Sequence, residues 1–392
     1  TAPDPTEAAP VRFGLASCSN YEAGFFAGYR HLAEREDLSF VLHMGDYLYE
    51  YAPGAYGPGP EIGRVHEPDR EIVSLEDYRV RHALYKTDPD LQACHAAHPF
   101  VTAWDDHEVT NDTHRDGAEN HQPDEEGRFL RRRRNAYRAY FEWMPIRPPR
   151  PHADPSRIFR RLRLGGLVDL HMLDTRQYRD RQPQDSSDPA KDDPERTITG
   201  DRQMAWLKTG LSASRSQWNL VGTQVQIAPV ETGEDMPFNV DSWDGYRADR
   251  QELLQHIHDA GVSDVVFLTG DIHSSWACDV PLDSTTYPVT PSVAVELVGT
   301  SITSDNLDEI TGSPPRTTSI AAENALRADN PHVKYVELDS HGYSVVDANA
   351  DRLQMDWYYL SDRADPEATA TVGASWQTVA GSRRVSPAAE PI

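Results

Sequence analysis

Short apolar runs alternate with segments of helical spacing over most of the chain. Val11–Ala16, Ser39–Met44, Phe100–Trp104, Trp218–Gln226 and Val265–Leu268 are too short for buried helices and read as strands. Ile158–Leu164 and Leu167–Leu173 predict a hairpin turning at Gly165-Gly166. Helical spacing marks Glu22–Glu36, Leu75–Leu91, Arg131–Trp143, Thr199–Leu211 and Ala248–Ala260, with Thr199 a candidate N-cap. Strands return at Ser292–Val298, Val333–Leu338, Gly342–Asp347 and Leu353–Tyr359. The alternation predicts a layered α/β fold.

Glu108–Arg128 and Arg181–Glu195 are polar and read as surface loops. Thr1–Pro10 is a Pro/Ala-rich lead. No boundary interrupts 11–362, so one domain is expected there. Residues 363–392 thin into Ala, Pro and Ser and predict a weakly ordered tail, or one packed on the domain surface.

Charge narrows the function. A net charge of −25 leaves no basic field for nucleic acid, and it suits recruitment of divalent cations. Lysine occurs only at Lys86, Lys191, Lys208 and Lys334, so arginine carries most of the positive charge; Arg131–Arg134 reads as a solvated face. No apolar run approaches the roughly 18–20 residues that span a bilayer. Cys18, Cys94 and Cys278 are too few for a disulfide framework, and the last two read as buried thiols or a pair.

Four predicted strands share one further property. Cys18 follows the first, Asp46 and Tyr49 the second, Asp106 the third, and Asp271 and His273 the run at Val265–Leu268. Strand ends gathered at one sheet edge would make these a single site. Thiolate, phenolate and imidazole suit ferric iron, whereas carboxylates suit calcium or magnesium. Each motif alone is ambiguous: Gly45-Asp46 is a common turn, and Trp104-Asp105-Asp106-His107-Glu108 could be a helix start collecting acids. In extended backbone those neighbours face opposite ways and cannot all meet one ion. Asp271 and His273, two residues apart, would share a side. Cys94-His95…His98 reads as a solvated turn, and His256 and His258 as surface residues.

Taken in order, these segments resemble the alkaline phosphatase D (PhoD-like) family of calcineurin-like metallophosphatases, which includes related bacterial phospholipase D enzymes. Ser17-Cys18-Ser19, Gly45-Asp46-Tyr47-Leu48-Tyr49, Trp104-Asp105-Asp106-His107-Glu108-Val109 and Gly270-Asp271-Ile272-His273 carry the resemblance. Leu173-Asp174-Thr175-Arg176-Gln177-Tyr178-Arg179, Gly222-Thr223-Gln224-Val225 and Ser242-Trp243-Asp244-Gly245-Tyr246 extend it, so that it covers roughly 11–362. It implies a four-layer α-β-β-α sandwich with two packed mixed sheets flanked by helices. It assigns Cys18, Asp46, Tyr49 and His273 to Fe(III). Asp46 would bridge to Ca(II), held further by Asp106, Asp271 and Asn111. Gln224, where relatives place a histidine, is a further ligand candidate.

The implied activity is phosphoester hydrolysis, on monoesters or diesters, by in-line attack of a hydroxide bridging the metals. His107 would protonate the leaving oxygen, oriented by Asp105 or Glu108. Arg115, Arg128 and Arg176 are candidates for holding phosphate. Phospholipid head groups are the alternative substrate, with Tyr51 and Tyr56 as a lipid-facing rim and peripheral lipid contact. A non-catalytic calcium-binding module is the alternative of another class, disfavoured by Cys18 and Tyr49. The family and the non-Met start predict a secreted monomer with no nucleic-acid partner.

Overall fold

Period-two burial organises the molecule. In the strand Val265–Thr269, Val266 and Leu268 enter one core, while Val265 and Phe267 enter another on the opposite face. A strand buried on both faces belongs in the middle of a layered fold.

The computed structural model describes residues 8–147 and 156–392. Most of the expected N-terminal lead, residues 1–7, lies outside the described residues. The described strands are β1 (Val11–Ala16), β2 (Val41–His43), β3 (Phe100–Thr102), β4 (Arg160–Leu164), β5 (Val168–Met172), β6 (Trp218–Thr223) and β7 (Val265–Thr269). They continue as β8 (Ser275–Pro281), β9 (Ser292–Val298), β10 (Val333–Glu337), β11 (Gly342–Ala348), β12 (Arg352–Leu360), β13 (Ala370–Val379) and β14 (Val385–Pro387).

One sheet runs β14-β13-β12-β11-β1-β2-β3, and the other β10-β8-β9-β7-β6-β5-β4. Both are mixed. β1, β2 and β3 are parallel neighbours, as are β9, β7, β6 and β5. Phe13, Leu15 and Leu42 of the first sheet share a core with Leu170, Val266 and Leu297 of the second. Tyr29, Tyr78 and Tyr140 bring the helices Ala27–Ala33, Leu75–Tyr85 and Phe129–Trp143 onto that core. Leu207, Leu253 and Leu326 bring Asp201–Ser212, Arg247–Asp259 and Thr318–Asp329 onto the second core. The fold is the expected four-layer α-β-β-α sandwich, and the parallel strands point their carboxyl ends to one edge.

Several elements depart from expectation for local reasons. The helix expected over Leu75–Leu91 is two, because Asp88 caps a new helix by accepting from the Asp90 and Leu91 amides, with Pro89 at its first position. Ser74 and Asp77 start the earlier helix with a capping box. Only Ala27–Ala33 of Glu22–Glu36 is helical, since the Glu22 carboxylate accepts from the Gly54 and His66 amides instead. Gly200, not Thr199, occupies the N-cap of Asp201–Ser212, and the Thr199 hydroxyl donates to Asp249. Within Arg131–Arg134, Arg132 is buried and paired with Glu71 and Glu126, so that run is not a wholly solvated face. The tail is not weakly ordered: β13 pairs with all of β12, and β14 pairs with β13. All three cysteines are buried and free.

Burial pushes His43, His82 and His95 down to about 3. Their neutral forms stabilise the fold fully above the unfolded value near 6.5. That stability is lost as pH falls towards 3, because the unfolded chain takes up the protons first. His82 stacks on Trp143 at 6.2 Å, so His82→Phe keeps a ring and removes a proton site. Urea denaturation at pH 7 and pH 5 is expected to show His82→Phe losing about 2 kcal/mol less than the native chain. Equal losses would contradict the buried neutral imidazole.

Candidate metal centre

The side chains that can bind metal emerge where the strands stop. Cys18 follows β1, Asp46 follows β2, Asp105 and Asp106 follow β3, and Asp271 and His273 follow β7. Open α/β sheets bind ligands outside such carboxyl ends. Four of these residues adopt left-handed backbone: Cys18 at φ 58°, Asp46 at 53°, Asp271 at 67° and His273 at 52°. Non-glycine residues adopt this region rarely and at a cost, so four at one edge mark a built site.

Hydrogen bonds weld the loops together. The Cys18 amide donates to the Gly45 carbonyl, and the Ser19 amide to the Asp46 carbonyl. The buried Glu108 carboxylate accepts from the amides of Asp46, Tyr47 and Asp105 at 3.0, 2.7 and 2.8 Å. Glu108 therefore joins the β2 and β3 loops and does not orient His107.

Three donor groups result. Ligand atoms of Cys18, Asp46 and His273 lie within 4.8 Å of one another, as do those of Asp46, Asp106 and His107, and those of Asp105, Asp106 and Asp271. Asp46 belongs to the first two groups, and Asp106 to the last two. Tyr49 joins the first, its hydroxyl 3.1 Å from Asp46 Oδ2 and 3.3 Å from His273 Nε2. Ser304 Oγ stands 2.7 Å from that phenol oxygen.

The donor chemistry fits cations. His273 Nδ1 lies 2.9 Å from the Asp305 carbonyl, which can only accept. The proton is thus on Nδ1, and burial pushes the imidazole down to about 4, leaving Nε2 with a free lone pair. Burial, then Asp46, raises the Cys18 thiol well above its ordinary value, and burial likewise raises Asp46 and Tyr49. Bound positive charge is what would make these groups anionic. Asp46 Oδ1 and Asp106 Oδ1 are buried and without a hydrogen-bond partner. Such orphaned oxygens are what a coordinated ion satisfies.

Among the three candidate arginines, the structure brings only Arg176 to the site. Its guanidinium pairs with Asp105, with Asp271 at 2.8 Å and Asp241 at 2.9 Å, and stands 3.5 Å from Asp106. Arg115 is exposed beside Asp180, and Arg128 is exposed ahead of the helix Phe129–Trp143. His107 is oriented by Glu50, whose Oε2 lies 2.7 Å from Nδ1. Burial would lower the His107 pKa, but Asp106, Glu50 and Asp46 together hold it well above the usual value. The Asn111 amide nitrogen donates to Glu119 at 3.2 Å. Gln224 Oε1 accepts from Thr175, so that amide oxygen is engaged. Tyr51 packs against His107 and Tyr56 against Tyr49, and both are half-buried beside the site.

Glu50 and Asp241 escaped the sequence reading. Glu50 follows the quoted Gly45–Tyr49 motif directly, yet its partner is 57 residues away. Asp241 immediately precedes the Ser242–Tyr246 segment, which was the available signal.

A family model for the PhoD-like phosphatase matches residues 13–357. The chain belongs to the PhoD-like phosphatase family. Alkaline phosphatase D of Bacillus subtilis (strain 168) is 36% identical over 98% of this chain. The chain spans 66% of that relative's length. A solved structure described as the structure of PhoD superposes with a TM-score of 0.86 at 33% identity, covering 100% of this chain and 74% of its own. Against that background, the strand-end donors are candidate metal ligands on a PhoD-like fold.

Gly45 shows how tightly the edge is packed. At φ 118°, a Cβ there would stand 2.5 Å from Asp105 Cβ and 2.7 Å from the Asp105 amide nitrogen. Gly45→Ala is expected to lower stability by at least about 2 kcal/mol and to reduce bound metal, read by denaturation and elemental analysis. Native metal content and stability in that variant would contradict the close approach.

Proposed function

We propose that the chain is a metal-dependent phosphoester hydrolase acting on monoesters or diesters. The observation that carries this reading is the sharing of Asp46 between two donor groups of unlike chemistry, with His107 in the second group. Cys18, Asp46, Tyr49 and His273 suit Fe(III), and Asp46, Asp106 and Asp271 suit Ca(II). Asn111 could join the second set through its side-chain oxygen, since its hydrogen bond to Glu119 uses only the amide nitrogen. When bound, such a pair supplies Lewis acidity and a nucleophile at neutral pH.

The chain's own residues do the rest. Arg176 holds Asp105, Asp271 and Asp241 in fixed relation and keeps a guanidinium among the acids. His107 gives its Nδ1 proton to the Glu50 hydrogen bond, so Nε2–H is the proton available to a leaving oxygen. The neighbouring carboxylates keep that imidazole protonated.

Cleavage of phospholipid head groups by the same site is a second substrate reading, favoured by an apolar cavity bordering His273. Export, a monomeric state and the absence of a nucleic-acid partner complete the proposal. Among the described residues no helix is long and apolar enough to cross a membrane.

Turnover of p-nitrophenyl phosphate, its bis-ester and phosphatidylcholine, with and without calcium or chelator, tests the activity. No turnover of any of them by metal-loaded protein would sink it. His107→Ala is expected to lose about 10²–10⁴-fold in kcat. Glu50→Gln should lose roughly tenfold or more and move the alkaline limb of the pH–rate profile to lower pH, because Glu50 helps keep His107 protonated. Unchanged turnover in His107→Ala would remove that residue from the reaction.

The iron assignment has a separate readout. Protein purified without chelator is expected to show a visible charge-transfer band that Tyr49→Phe abolishes. A colourless, iron-free protein would contradict it.

A further inference from the structure

We infer that Lys86 is a second reactive site, outside the donor groups of the metal centre, whose amine takes the acyl group of a small uncharged activated donor such as an acid anhydride.

Lys86 closes the helix Leu75–Tyr85, where the chain turns into the helix Pro89–Ala97. Its Nζ donates to the Tyr47 hydroxyl and lies 2.9 Å from His95 Nε2. Tyr47 Oη and His95 Nε2 are themselves 2.8 Å apart, so three polar atoms close a triangle. Aromatic rings wall it. The Tyr47 ring centroid stands 4.5 Å from Nζ, and His95 stacks on Phe100 at 3.9 Å. His95 therefore belongs to this cluster and not to a solvated turn.

The cluster contains no negative charge. Asp and Glu total 63 in this chain, yet among the described residues no carboxylate pairs with Lys86. The other lysines rest on oxygen: Lys191 on Asp192 and Asp235, Lys208 on Glu252, and Lys334 on the Pro331 carbonyl. Asp88, two residues on, is held by Arg64 at 2.8 Å and caps the next helix. The groups that do surround Lys86 are neutral. Tyr47 comes from the loop after β2, with the His43 ring behind it at 5.2 Å; His95 and Cys94 come from the next helix, and His82 from its own. Burial raises the Tyr47 phenol well above its ordinary value and the Cys94 thiol to about 12, and it holds the three imidazoles near 3. Beyond His82, Glu142 is taken by Arg79 and Arg138.

An ammonium in this place has no counter-charge, and burial pushes the amine down to about 7. A neutral amine keeps two N–H donors for Tyr47 and His95 and has a lone pair to spare. Lysines stripped of their proton by desolvation are nucleophiles. Lys86 and His95 are only half-buried, so a small donor reaches Nζ from solvent. The lone pair attacks the acyl carbon and forms a C–N bond. The bond from that carbon to the leaving carboxylate breaks with its electron pair, and the surplus Nζ proton passes to water. A net charge of −25 disfavours anionic donors, and the product amide is neutral, as its surroundings are.

Trace labelling with acetic anhydride, followed by peptide mass mapping, compares Lys86 with Lys191, Lys208 and Lys334 in the metal-loaded protein. At about pH 7.5, Lys86 is expected to acetylate roughly tenfold faster than each of the others, or more. Its labelling should reach half its plateau near pH 7, whereas theirs still rises above about pH 9. A Lys86 rate no greater than that of Lys208, or a half-plateau above about pH 9, overturns the proposal without any variant. His95→Glu sets a carboxylate beside Nζ and should cut the Lys86 rate at least about tenfold while leaving Lys208 unchanged. An unaltered Lys86 rate in that variant would count equally against the uncharged amine.

Discussion

Buried like charge is the constraint on which this molecule is built. Asp46, Asp105, Asp106, Asp241 and Asp271 meet at one edge of the sandwich, nearly closed to water. Carboxylates so placed cannot all ionise unless positive charge stands among them. Arg176 supplies one such charge and His107 another. The remaining deficit, with the orphaned oxygens of Asp46 and Asp106, is what a bound cation would offset.

The fold makes this concentration possible by direction rather than by proximity in sequence. Parallel β1, β2 and β3 deliver three loops to one edge, and β7 delivers a fourth from the facing sheet. Left-handed backbone at four ligand candidates then turns the chain sharply after each strand. Such conformations persist only where surrounding contacts over-determine them. Glu108, with three amides on one carboxylate, is a principal fastening.

Most of the layering was legible because buried strands announce themselves as apolar runs, and β1 and β9 have the bounds read from the sequence. The donors at strand ends were legible for the same reason, since each follows such a run. What stayed hidden depends on distant partners. Glu50 looks like any glutamate between two tyrosines until His107 is seen beside it. Arg176 is one arginine among many until four acids surround it. β8 was hidden by its mixed sequence, Ser-Trp-Ala-Cys-Asp-Val-Pro, which is buried throughout although it carries Asp279.

The C-terminal strands carry a consequence for self-association. β12 has nine residues, and without β13 its outer rim would expose a row of free amides and carbonyls to any other extended chain. β13 pairs its own backbone with that whole row, and β14 closes the sheet with three residues ending in Pro387. A short final strand ending in proline is a poor template for further pairing. The short last strand and its proline, part of the segment that resembled a loose tail, thus leave little edge for another chain to join. Trimming the chain at residue 362 would expose the edge that this pairing guards.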